Sequence, residues 1–115
     1  MPRDSKLYLN DILSAIEKID TYMENIKDYP DFLENELVSD AVIKNLMIIG
    51  EAVKKLPSEL TLKYSNIEWR NISGFRDVLI HSYFKINPAI VYDVVKNKLP
   101  NLKETIDLMM NNENL

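Results

Sequence analysis

The chain has 115 residues, 46% hydrophobic and 28% charged, the balance of a single globular domain with one core, which excludes a disordered chain. It holds no cysteine and one histidine, which excludes a disulfide framework and a thiolate metal site and argues against a structural zinc. The net charge of −4 counts against indiscriminate nucleic-acid binding through a global positive field and leaves room for local basic patches.

The N-terminus, Met1-Pro2-Arg3-Asp4-Ser5-Lys6, is charged and leads into no signal-type apolar core. Apolar runs such as Leu46-Met47-Ile48-Ile49 fall far short of the roughly 20 residues a membrane span needs, so no membrane association and a cytoplasmic location are expected. Leu9, Ile12, Leu13, Ile16, Ile19, Met23 and Ile26 then recur at the three-four spacing of an amphipathic helix, with Asp4 or Ser5 as its cap. Asp28-Tyr29-Pro30-Asp31 breaks that pattern.

A second helix is predicted from about Phe32 or Glu36 to Leu56, with Leu37, Val38, Ala41, Val42, Leu46, Ile49, Ala52, Val53 and Leu56 on its buried face. So broad a stripe suits a central helix with neighbours on more than one side, or one that also serves a subunit interface. Gly50 lies inside it at a propensity cost of roughly 1 kcal/mol, which points to another backbone passing close by.

Pro57 to Tyr64 reads as a short helical turn, and Ser65-Asn66 as punctuation. A third main helix is predicted from Ile67 to Phe84, carrying Trp69, Ile72, Phe75, Leu79 and Ile80. Asn87-Pro88 reads as a cap followed by proline at the first helical position. Ile90, Val91, Val94, Val95, Leu99, Leu102, Ile106, Leu108 and Met109 continue the helical period, with Pro100 kinking or dividing the segment and the tail from Asn111 to Asn114 fraying. No segment alternates like a strand, and the expected fold is an all-α up-and-down bundle of about four main helices.

The chemistry gathers in Arg76-Asp77-Val78-Leu79-Ile80-His81-Ser82-Tyr83, which holds the only histidine. Asp77 and His81 stand at i,i+4, so the carboxylate can accept a ring N–H and fix the tautomer. A histidine so held can act as general acid or base, and an arginine can stabilise a phosphate that gains charge. With no metal constellation in the chain, these parts suit metal-independent RNA cleavage with the 2′-hydroxyl as internal nucleophile. On an ideal unbroken helix Arg76 shares a face with Tyr83, whereas Arg76 and His81 lie about 140° apart and do not aim at one atom. Taken alone, an Arg, Asp and His on one helix are more often an exposed salt-bridged face.

The run from Asp40 to Leu56 through Ile49-Gly50-Glu51-Ala52, followed by Trp69-Arg70, Gly74-Phe75-Arg76-Asp77 and His81-Ser82-Tyr83-Phe84, resembles the HepT-like family of HEPN-domain proteins. The similarity extends through Val91 to Val95 and Leu99-Pro100, nearly the whole chain. It implies a homodimeric ribonuclease, the toxin of a type VII-like toxin–antitoxin pair. Arg76 and His81 match the catalytic arginine and histidine, and Asp77 matches the polar position after the arginine. Tyr83 matches the tyrosine of the R-x4-H-x-Y motif, the site at which a minimal nucleotidyltransferase antitoxin attaches AMP from ATP; the chain itself needs no cofactor. Lys44 stands where arginine is expected and Met47 where a charged residue is common, so neither receives a role.

A homodimer would answer the geometric objection by placing Arg76 of one copy opposite His81 of the other. Glu51 is a further candidate, as a carboxylate partner for Arg76 or as a solvent ion pair with Lys54 or Lys55. Trp69 and Phe75 can stack on a base or pack in the core, and their helical spacing favours the core. Two rivals remain open: a non-catalytic nucleotide-binding subunit of a two-component nucleotidyltransferase, and a purely structural helical dimer. The RNA target is not legible.

Overall fold

The apolar period of the N-terminal segment builds α1 (Arg3–Met23), on which Leu9, Ile12, Ile16 and Ile19 are at most 1% exposed. In the computed structural model, residues 3–114 are described, apart from the side chains of Arg3 and Tyr83. The helix is already running at Arg3, so Asp4 and Ser5 sit inside it and do not cap it, and Ser5 is buried. The stretch read as a break begins a short helix, α2 (Tyr29–Glu34), because the Asp28 carboxylate accepts the Asp31 N–H at 2.9 Å and Pro30 supplies a helical φ in the first turn.

Asn35 caps α3 (Glu36–Lys55) by accepting the Val38 N–H at 3.0 Å. Val42, Leu46, Ile49, Ala52 and Val53 are buried along it, while Leu37, expected in the core, is 81% exposed in the first turn. The proposed turn after Pro57 is α4 (Ser58–Thr61) continued by a 3₁₀ turn, Leu62–Tyr64. Lys63 and Tyr64 both hold the Glu113 carboxylate, at 3.2 and 3.1 Å, tying this turn to the end of the chain's last helix.

The third main helix, α5 (Trp69–His81), is shorter than expected, because Ser82 leaves helical geometry and a 3₁₀ turn, Tyr83–Lys85, follows. Leu79 is its one fully buried side chain, and Trp69, Ile72 and Phe75 pack half-buried against the core; Ile80 is 41% exposed. The Asn87 cap and Pro88 start α6 (Pro88–Asp93) as predicted, with Asn87 accepting the Ala89 N–H at 2.9 Å. Pro100 has no N–H to continue the ladder, and the chain takes up a π turn, Val94–Lys98, in which the Leu99 N–H reaches back to the Val94 carbonyl. That turn divides α6 from α7 (Leu99–Asn112), which stays helical through Asn112.

These elements form an all-α bundle, and no strand occurs among the described residues. The central pair is α1 and α3; α5 packs on α3, and α7 packs on α1. The broad stripe of α3 is explained by its two large neighbours. Among the described residues no helix is long and apolar enough to cross a membrane.

Candidate functional site

Gly50 decides where Arg76 goes. A Cβ at position 50 would collide with the Arg76 Cβ and lie 3.0 Å from its Cγ and 3.2 Å from the Ile72 carbonyl oxygen. The bare glycine therefore lets α5 lie directly on α3, the close approach its sequence position suggested. The arginine stem passes over that contact, and its guanidinium meets Glu51, the next residue of α3.

The guanidinium is fixed by two carboxylates. Arg76 Nη2 lies 2.8 Å from Glu51 Oε2 and Nη1 lies 2.9 Å from Asp77 Oδ1, with the arginine side chain 25% exposed. Glu51 fulfils both expectations at once, since its other oxygen is 3.7 Å from Lys55 Nζ. The orienting contact expected between Asp77 and His81 is replaced: Asp77 bonds to Arg76, and no Asp77–His81 hydrogen bond is present among the described residues. A guanidinium one residue away offers a charge-assisted bond, which outcompetes an imidazole at the exposed end of the helix.

His81 is the last residue of α5 and is exposed. Because α5 is unbroken from Arg76 to His81, the two diverge as ideal geometry predicts, and one chain does not bring them to a common point. Tyr83 follows in the 3₁₀ turn; its side chain, and with it the expectation that it shares a face with Arg76, lies outside the described residues.

Around Arg76 a surface cleft of about 350 Å³ opens between α1, α3 and α5. Tyr8 and Asp11 line it from α1, Lys44, Met47, Ile48, Glu51 and Lys55 from α3, and Ile80 from α5. Lys55 Nζ stands 5.7 Å over the Tyr8 ring, a cation–π contact that keeps the ammonium at the cleft edge. Lys44, given no role from sequence, faces the same space as a point charge and not a bidentate fork. Tyr8 and Asp11 had no signal in the sequence, because only the packing of α1 on α3 brings them here. Among the described residues no group of three or more His, Cys, Asp or Glu could hold a metal ion.

The arrangement can hold an anion at Arg76 in a geometry set before it arrives, and it presents a free-standing histidine one turn and a half further along the same helix. Comparison with known proteins adds a family. The family model described as Ribonuclease HepT-like matches residues 12–109. The chain is 43% identical over 106 residues to a Methanocaldococcus jannaschii protein named a gamma-glutamylcyclotransferase and candidate RNase, covering 92% of this chain but 47% of that one. It is 38% identical over 105 residues to a candidate RNase of the same organism, covering 91% and 90%. It is 40% identical over 103 residues to a candidate ribonuclease HepT of Thermococcus cleftensis, covering 90% and 93%. The chain thus spans about half of the first relative and nine-tenths of the other two. No solved structure matches it.

Proposed function

The chain belongs to the HepT-like ribonuclease family, and from that membership and the site at Arg76 we propose that it is a metal-independent endoribonuclease that works as a homodimer. The observation that carries the reading is the guanidinium held between Glu51 and Asp77 over a cleft with two further cations. In the reaction the RNA 2′-hydroxyl attacks the adjacent phosphorus as a His81 imidazole takes its proton. The new 2′-oxygen–phosphorus bond forms as the bond to the 5′-oxygen breaks, and that departing oxygen takes its proton from water. Arg76 bonds to the non-bridging oxygens as they gain charge.

The divergence of Arg76 and His81 on one helix supports the dimer: two copies of α5 facing each other would bring the arginine of each toward the histidine of the other. Ile48, Val78 and Ile80, between 37% and 51% exposed on α3 and α5, offer apolar surface for such a contact beside the cleft. Mixed dimers test it. An Arg76→Ala chain paired with a His81→Ala chain is expected to regain about a quarter to a half of wild-type cleavage, and no recovery at all overturns the composite site.

The regulatory part of the reading is a toxin in the cytoplasm, silenced when a minimal nucleotidyltransferase uses ATP to attach AMP to Tyr83. Its support is the family resemblance and the place of Tyr83, two residues past His81 in the turn that ends the helix. Incubation with that partner and ATP is expected to add one or more AMP units to Tyr83 and abolish cleavage; an unmodified Tyr83 by mass spectrometry removes the switch.

A further inference from the structure

A second cleft lies on the opposite flank of the α3–α5 pair and takes no part in the site at Arg76. Because α5 rests on α3 and α7 on α1, the space between α5 and the π turn stays open over about 420 Å³. Leu46 and Ile49 of α3, Phe75 of α5 and Val94 line it with apolar surface. Both the volume and the mix of apolar surface with a few polar groups are those of small-ligand sites, for which about 300–1,000 Å³ is usual. The π turn has a local cause in Pro100, and its extra residue swings Asn97 and Lys98 onto the cleft, a use to which π turns are often put.

The polar rim has a definite sense. Asn66 donates its amide N–H to Thr105 Oγ1 at 2.9 Å, Asn97 donates to Asp93 Oδ1 at 2.6 Å, and Asn71 donates to Glu68 Oε2. Each amide keeps its carbonyl and a second N–H, so what gives the rim its sense is the Glu68 carboxylate, which only accepts and can meet two adjacent donors of a ligand. Lys98 and Asn101 add donors to the rim. The complement is a flat ring with adjacent N–H donors and a neighbouring carbonyl. Guanine is the nucleobase that presents a ring N–H and an exocyclic amine side by side with a carbonyl; uracil offers one N–H, and adenine and cytosine lack the ring N–H on that edge.

We propose that this cleft is a guanine subsite that takes a base splayed out of a single-stranded RNA. The identity of the strand as RNA substrate rests on the ribonuclease reading above; the recognition of guanine does not. Unstacked bases read on their Watson–Crick edge are the usual currency of sequence-specific RNA recognition, and a base held here would lie across the α3–α5 pair from the Arg76 cleft. The cleft would therefore select which stretch of strand reaches the scissile position.

Trp69, the single tryptophan, begins α5 and reports by fluorescence. The full chain is titrated with GMP, AMP, CMP and UMP, then with a short oligoribonucleotide containing one G and its counterpart with U in that place. GMP is expected to bind in preference to the other three, and the G-containing strand to bind more tightly than its counterpart. Glu68→Gln is expected to weaken GMP at least about fivefold, the low end of a lost bidentate base contact, and to erase the strand preference. The Glu68 side chain makes no capping bond, so the start of α5 survives the change; Asn97→Leu, also on an exposed rim residue, provides a second variant.

Four nucleotides bound equally, or none at millimolar concentration, overturn the subsite. Selective GMP binding without a strand preference overturns the RNA source and leaves a free guanine nucleotide as the ligand. Selective binding by both tests in a chain that cuts no RNA upholds the subsite and overturns the ribonuclease reading instead.

Discussion

Gly50→Ala is the change most closely governed by the geometry of the site. In an exposed helix interior the substitution stabilises by about 1 kcal/mol through propensity. Here the added methyl would collide with the Arg76 Cβ and sit 3.2 Å from the Ile72 carbonyl oxygen, both rigidly attached to the α5 backbone. Neither can rotate away, so α5 must move off α3 as a body, and overpacking of this kind costs about 1–3 kcal/mol. The net expectation is a loss of about 1 kcal/mol, a fall in Tm of roughly 4 °C for a chain of this length. Thermal and urea unfolding at fixed protein concentration measure it, and cleavage should fall as well, since Arg76 moves with the helix. A gain in Tm with activity intact would mean that α5 does not lie on Gly50 as described, and would remove the argument for how Arg76 is placed.

Arg76→Lys keeps the charge but loses the planar fork that meets Glu51 and Asp77, and cleavage rates are expected to fall about 10²- to 10³-fold with little change in stability. Asn66→Ala removes the bond to Thr105, a residue only 2% exposed, and leaves a buried hydroxyl without that partner, for an expected cost of about 1–3 kcal/mol by urea denaturation. The hydrogen bond from Lys63, with Tyr64 adding to it, holds the Glu113 carboxyl below its ordinary value of 4.5. A depressed acid contributes stability that is present above the unfolded value and lost as pH falls toward the folded one. Glu113→Gln should therefore unfold more readily than the parent near neutral pH and match it once the pH is well below 4.5.

How much of this was legible depends on whether the signal is local. The face of α1 and the cap at Asn87 follow from spacing and capping chemistry alone, and both are present. Pro30 predicts a break because it disfavours helix in the residue before it, but with Asp28 two residues earlier it is also a start signal, and α2 begins there. The end of α5 at Ser82 carries no glycine or proline to announce it, so the period alone predicts a helix through Phe84. The period of Leu37 points to the core, yet the residue falls in the first turn of α3, where the chain is still entering from α2. Within the site, Glu51 was readable because Gly50 marks where α5 crosses. Tyr8, Asp11 and the base-sized cleft beside the π turn depend on helix packing, which no spacing rule within one segment encodes.

The pairing of Arg76 with two carboxylates bears on how such a site would work. An arginine bound only by water would have to be ordered when substrate arrives, whereas Glu51 and Asp77 hold its fork in place beforehand, so the ordering cost falls on folding and not on the reaction. The same carboxylates offset its charge, which weakens attraction for a singly charged phosphate in the ground state. In the transition state the phosphate carries more charge, and the difference favours the barrier crossing more than the binding step. His81 stands apart on the same helix, so a lone copy holds the phosphate group's partner without the proton carrier. Under the proposed composite site, cleavage requires a second α5, and anything that prevents the two helices from facing each other, including a bulky group on the turn after His81, would leave the chain folded and inactive.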